Sequence, residues 1–170
     1  MKILLVSGGR SLTRQVTTAL PEDAEVVEVR TPQRGLAVLD SGEHAFDIVL
    51  GDADTHPTGG FYLVREIRGR QTDGADLPPV VLLIARPQDE YLCRWVQADA
   101  WVVKPVDPFD LAEVLGALVD GDEVPALPGV GRLGHAPQLG PGGGVSADRT
   151  TLGGTRGEIP AHREAGRTTP

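Results

Sequence analysis

The chain has 170 residues, of which 40% are apolar, with 22 glycines, 14 prolines, one cysteine and a net charge of −8. That is room for one domain of ordinary size plus an appendage, with enough apolar residues for a core. A lone cysteine excludes an intrachain disulfide and a thiolate zinc centre, and the acidic balance argues against direct nucleic-acid binding by the folded part.

The chain starts with the apolar run Ile3–Val6, which Gly8 and Gly9 soon break. It is too short for a signal-peptide core or a membrane span and reads instead as a first strand, so a cytoplasmic protein without a membrane partner is expected. Ser11 marks the start of a helix over Leu12–Leu20, and a second strand follows at Val26–Val29. Thr31-Pro32 opens a second helix to Leu39, and Ile48–Leu50 is a third strand. Phe61, Val64 and Ile67 lie on one face of a third helix, and Val80–Ile84 is a fourth strand. Tyr91–Val96 gives a fourth helix and Trp101–Val103 a fifth strand. Asp107-Pro108 then opens a fifth helix over Leu111–Val119.

From Glu123 the composition changes: the last 48 residues hold 11 glycines and 6 prolines. Such a segment cannot bury enough apolar surface to offset the entropy of ordering it. Residues 123–170 are therefore expected to be a disordered tail and residues 1–122 the folded domain. The charge divides in the same place: 20 acids against 11 Lys and Arg before residue 123 give −9, and 4 acids against 5 Arg after it give +1. No helix-turn-helix pattern appears in the tail, so no DNA-binding output domain is expected there.

Five strands alternating with five helices predict an α/β fold, a parallel sheet with helices on both faces. Near-continuous apolar strands agree, because a strand covered on both sides need not alternate. In such sheets the functional crevice lies outside the carboxyl ends of the strands. The residues there are Ser7-Gly8-Gly9 after the first strand and Asp52-Ala53-Asp54-Thr55-His56 after the third. Ile84-Ala85-Arg86 closes the fourth, and Lys104-Pro105 follows the fifth. At about 4 Å and an effective dielectric near 20, an Asp–Lys attraction is roughly 4 kcal/mol before desolvation, enough to hold Lys104 on Asp52 without a metal.

These strand-end residues resemble the receiver domains of response regulators, over residues 1 to about 120. The segment Phe46-Asp47-Ile48-Val49-Leu50-Gly51-Asp52, with Gly60-Phe61 beyond it, is similar to the family's phospho-acceptor segment. Lys104-Pro105 resembles its Lys-Pro pair, in which a cis peptide often precedes the proline. Ala98-Asp99-Ala100-Trp101 resembles the segment before that pair. The resemblance implies the flavodoxin-like, CheY-like fold. It also implies Asp52 as phospho-acceptor, Lys104 as the partner of the phosphoryl group, and Trp101 as the switch aromatic.

The departures are equally specific. Where receivers carry the acids that bind a divalent cation, this chain has Ser7-Gly8-Gly9, and where they carry a relay hydroxyl it has Ile84. The proline usually found four residues after the acceptor stands one later, as Pro57. Phosphoryl transfer to an aspartate relies on a metal to neutralise developing charge. The sequence therefore predicts an atypical, non-enzymatic stand-alone receiver with weak or absent phosphorylation at Asp52. It would act in two-component phosphorelay signalling through contacts with a histidine kinase or another signalling protein. Asp52 and Asp54 could hold Mg2+ only weakly through oxygen ligands, and Asp54 and His56 otherwise read as polar loop residues.

Tyr91, Trp95 and Trp101 mark a candidate interaction face, because receivers commonly meet partners or dimerise through the fourth helix, fifth strand and fifth helix. Trp95 also fits a core position by its spacing with Leu92 and Val96, and Cys93 reads as an inert small residue. The alternative from another class is a small-molecule or nucleotide-binding module using the Ser7-Gly8-Gly9-Arg10 turn, although its spacing matches neither phosphate-loop motif. Asp52-Ala53-Asp54 is similar to the start of haloacid-dehalogenase-type phosphatases, but those place the motif after the first strand and need more chain beyond it.

Overall fold

The computed structural model describes residues 1–134. Strands and helices alternate as β1 (Lys2–Val6), α1 (Arg10–Ala19), β2 (Glu25–Val29), α2 (Pro32–Ser41), β3 (Ile48–Asp52), α3 (Gly59–Thr72) and β4 (Val80–Ile84). A short 3-10 turn, Pro87–Asp89, leads into α4 (Glu90–Trp95), followed by β5 (Ala100–Val103), α5 (Pro108–Asp120) and β6 (Val130–Arg132). The strand order is β2-β1-β3-β4-β5-β6. The first five strands are parallel, and β6 pairs with β5 antiparallel.

The sheet takes this form because β3 and β4 are buried along their whole length and β1 nearly so. Successive residues of a strand face opposite sides, and here both sides are dry. Ile3, Leu5, Ile48, Leu50, Val81 and Leu83 meet Leu12 and Val16 of α1 and Leu111, Val114 and Leu115 of α5. Leu4, Val6, Val49, Leu82 and Ile84 meet the apolar stripes of α2 and α3 and Cys93 of α4. Each such side chain, fully buried, stabilises the fold by about 1.5–3 kcal/mol relative to exposure. Cys93 belongs to this core. Burial pushes its thiol up to about 12, which keeps it protonated and unreactive near neutral pH.

Two of the three helix starts read from sequence hold as caps. Thr31 Oγ1 accepts the Arg34 amide at 3.3 Å, and Asp107 Oδ1 accepts the amides of Phe109 and Asp110 at 2.8 and 3.2 Å. The first differs: α1 begins at Arg10, so Ser11 lies inside the helix and Gly9 is the cap.

The sheet has six strands rather than the expected five. The sixth comes from the segment that composition assigns to the tail. Val124 is buried in the core beside α5, and Val130, Gly131 and Arg132 pair with Val102, Trp101 and Ala100. The tail expectation for residues 135–170 lies outside the described residues. No helix among the described residues is long and apolar enough to cross a membrane.

Gly60 lets α3 start directly against the end of β3, and so sets the loop that carries Asp52 and Asp54. A Cβ there would lie 2.8 Å from the Asp52 carbonyl oxygen and 2.9 Å from Leu82 Cδ2. Gly60→Ala is expected to cost about 1–2 kcal/mol of overpacking in urea denaturation. Gly69→Ala on the same helix, with open space around it, is expected to be neutral or to stabilise by up to about 1 kcal/mol. Equal effects at the two positions would contradict this account of Gly60.

Candidate functional site

The carboxyl ends of β1, β3 and β5 bring Ser7, Asp52 and Lys104 together across the sheet. Asp52 is the last residue of β3 and is 7% exposed. The Lys104 ammonium donates to Asp52 Oδ1 at 2.9 Å and to Asp54 Oδ2 at 2.7 Å. The Asp54 amide donates to Asp52 Oδ1 at 3.1 Å, and the Ser7 hydroxyl donates to Asp52 Oδ2 at 3.4 Å. Both oxygens of Asp52 are thus engaged by this chain's own groups. Lys104 is held from behind as well: its amide donates to the Ile84 carbonyl at 2.7 Å, which ties the end of β5 to β4. The Lys104-Pro105 peptide is cis, and so is His56-Pro57.

One ammonium between two carboxylates sets the electrostatics. Burial would lower the Lys104 pKa, but hydrogen bonds to Asp52 and Asp54 and their negative charges outweigh it and hold the ammonium above the ordinary lysine value. Asp54, expected as a polar loop residue facing solvent, is mostly exposed, yet its carboxylate turns back onto Lys104. His56 is exposed and makes no part of this cluster.

These residues do not fit a divalent cation. Mg2+ needs anionic oxygen ligands that are free to face it. Here Asp52 and Asp54 already share the Lys104 ammonium, and Ser7-Gly8 supplies no further carboxylate. Among the described residues no group of three or more His, Cys, Asp or Glu could hold a metal ion.

The glycine turn is also committed internally. The Gly9 amide donates to Ser7 Oγ at 3.2 Å, and the Gly8 amide donates to Thr55 Oγ1 at 3.4 Å. Those N–H groups therefore do not form an open cradle for a phosphate. Thr55 is a site residue that sequence reasoning missed. It is buried against this turn, and only tertiary packing distinguishes it from an ordinary polar loop residue.

Ile84 and Trp101 lie in the same apolar core, and Ile84 brings no hydroxyl to link the Asp52 crevice to the ring. Trp101, expected beside Tyr91 and Trp95 on an interaction face, is only 2% exposed, whereas Tyr91 is 67% and Trp95 71% exposed. The exposed aromatics on α4 are therefore Tyr91 and Trp95, and Trp95 is not a core residue. Arg94 lies between them, and its guanidinium stands 4.9 Å from the centre of the Trp101 ring. The indole is covered from that side and from β6.

No family model matches the chain. An uncharacterized response regulatory protein of Mycobacterium tuberculosis, matched in two strains, is 32% identical over 110 residues, which are 65% of this chain and 78% of that protein. Among solved structures, a CheY-like response regulator receiver domain protein from Methanospirillum hungatei JF-1 matches with a TM-score of 0.59 at 23% identity. That match covers 71% of this chain and 94% of the other. The receiver domain of a Francisella response regulator matches with a TM-score of 0.61 at 15% identity, covering 71% and 97%. At these identities the structural likenesses speak for the fold alone.

Proposed function

The chain belongs to the response regulators and has their CheY-like receiver fold, and from that premise we propose that it is a charge-locked receiver, held in one state without a metal and signalling through protein contact. Membership in the family supports a role in two-component phosphorelay signalling, with signalling proteins such as kinases as partners. The finer reading rests on one observation: Lys104 sits within 2.9 Å of Asp52 and 2.7 Å of Asp54, with Ser7 and Gly8 where the family's metal-binding acids would be.

Phosphorylation of Asp52 would replace its single charge with the roughly two of an acyl phosphate, adding about one negative charge to the crevice. Transfer needs positive charge where the phosphoryl oxygens gather, which a metal ordinarily supplies. Here a single ammonium serves, and Asp54 already shares it. With Asp52 as acceptor in name only, Lys104 acts as a structural pin. Ile84 and Trp101 are then members of one apolar core in place of a relay. Tyr91 and Trp95 are the anchors for a protein partner on α4, since large exposed aromatics with polar surroundings carry much of the energy of interfaces.

The test is intact mass after incubation with acetyl phosphate and magnesium, beside Asp52→Ala. We expect no added phosphoryl mass in either protein. A gain of one phosphoryl group in the parent alone would show that Asp52 works as an acceptor, and the charge-lock reading would fall. The nucleotide-binding alternative draws no support from the geometry, because the turn's amides are already bonded to Ser7 and Thr55.

A further inference from the structure

Charge is segregated along the strands of this sheet. The loops at their amino ends, residues 21–25, 42–47, 73–79, 97–99 and 120–123, hold 11 acids and no Lys or Arg. The corner beyond the carboxyl ends of β1 and β2 is the reverse. No Asp or Glu occurs from residue 3 to 21 or from 29 to 39, where Arg10, Arg14, Arg30 and Arg34 stand. The strand register brings these segments together. Val6 pairs with Val29, the Ser7 amide donates to the Val29 carbonyl at 2.9 Å, and a Cβ on Gly8 would lie 3.8 Å from the Arg30 carbonyl. Arg10 opens α1, Arg14 lies one turn on, and Arg34 is in the first turn of α2. All four arginines are exposed, and none enters the ion pairs found among the described residues. Glu28 of β2 borders the corner and accepts the Thr13 hydroxyl at 3.1 Å, while Asp52 and Asp54 are taken up by Lys104.

These arginines run against the interests of the free chain. The start of a helix carries positive potential, so acids stabilise its first turn and cations do not. Neither α1 nor α2 has an acid there, whereas α4 has Glu90 and α5 has Asp110. Arg10 and Arg14, four apart on one helix face, add like-charge repulsion. Arg34 is the clearest case. Thr31 Oγ1 accepts its amide, and a glutamate there would reach back to complete a capping box. Local rules broken without a compensating contact in the fold mark functional positions. We propose that Arg10, Arg14, Arg30 and Arg34 are the docking site for an acidic, Asp- and Glu-rich segment of a protein partner. Guanidinium groups take carboxylates in paired hydrogen bonds, and such a segment brings the negative charge that this corner lacks. A nucleic acid fits less well, because its phosphate backbone would run on from the corner onto an otherwise acidic domain. The inference rests on signalling through protein contact, but not on the Asp52–Lys104 pair, so it and the charge lock can fail separately.

The experiment is fluorescence anisotropy of a fluorescein-labelled oligoglutamate peptide titrated with the full-length chain, in low and in physiological salt. We expect saturable binding that weakens as salt rises. Arg10→Glu and Arg34→Glu should each weaken it by at least about tenfold in low salt. Arg65→Glu makes the same change of charge at an exposed position of α3 and should bind as the parent does. Thermal melts of the free proteins give a second readout. Arg34→Glu, which completes the capping box, should melt about 1–4 °C above the parent while binding worse. A parent that does not bind the peptide overturns the site. So do equal losses in all three variants, which would reduce the effect to net charge. A DNA oligonucleotide of matched charge that binds as tightly as the peptide would replace the acidic segment with polyanions in general. An Arg34→Glu protein less stable than the parent would show that Arg34 serves the fold. None of these results bears on acetyl phosphate labelling, which decides the charge lock.

Discussion

Lys104→Met is expected to lower stability by about 2–3 kcal/mol at neutral pH and to make the protein respond to magnesium, which the parent should not. The size follows from what the substitution leaves behind. Asp52 has a side chain only 10% exposed, and the ammonium that neutralises it is itself 21% exposed. Removing one partner of a largely buried pair strands the other charge, at about 3–5 kcal/mol when burial is complete. The discount reflects Asp54, whose side chain is 62% exposed and loses little when its partner goes. With the ammonium gone, two carboxylates face one crevice and become free oxygen ligands for a hard cation. The melting temperature of the variant should therefore rise with added magnesium while that of the parent stays flat. The pH dependence has a definite sign. The folded-state pKa of Lys104 lies above its unfolded value, so its contribution is fully present below the unfolded pKa of about 10.4. It is lost as pH rises through the higher folded value. The stability gap between parent and variant should be constant from neutral pH to about pH 10 and narrow above it. Urea denaturation at pH 7 and pH 11, with and without magnesium, measures all of this. A variant as stable as the parent at pH 7 would mean that the pair holds nothing.

How far the sequence leads is clearest at particular residues. The strands are legible because Ile48–Leu50 and Val80–Ile84 are apolar on both faces, which a doubly covered sheet requires. Asp52 and Lys104 are legible as partners because both follow strands whose carboxyl ends share one crevice. Asp54 is not, since nothing in Asp52-Ala53-Asp54 says which way an exposed carboxylate turns; the ammonium of Lys104 decides that. Trp95 and Trp101 show the limit of spacing arguments. On a six-residue helix the stripe that includes Leu92 and Val96 does not separate core from surface, and Trp95 faces out. Trp101 is buried partly by Gly131, thirty residues later in the chain. The largest miss is β6. Averaged over residues 123–170, glycine and proline point to an unfolded segment, yet Gly129, at φ +73, turns the chain and Gly131 pairs in a strand opposite Trp101. Glycine is there because an indole takes the space of its side chain, and composition alone cannot show that.

The second large effect should come from restoring what the crevice lacks. Ser7→Asp together with Gly8→Asp is expected to raise magnesium affinity by at least about tenfold, worth about 1.4 kcal/mol of binding. Both changes fall at the crevice, and the second has clear space. Ser7 Oγ already lies 3.4 Å from Asp52 Oδ2. A Cβ at residue 8 would meet nothing nearer than the Arg30 carbonyl at 3.8 Å. Two added carboxylates beside Asp52 and Asp54 leave Lys104 with four negative charges to offset, and one ammonium cannot do it. Without magnesium the double variant should therefore be less stable than the parent, and saturating magnesium should restore most of the loss by preferential binding to the folded state. Calorimetry and thermal melts at graded magnesium read both effects. The decisive measurement is acetyl phosphate labelling of the same variant. If one phosphoryl group now appears, and disappears when Asp52→Ala is added, then Asp52 in the parent is an intact nucleophile silenced by the missing acids. If magnesium binds and no label appears, the silence lies in Lys104 and Asp54, whose grip on Asp52 survives the metal, and the lock is stronger than the loss of ligands alone would make it.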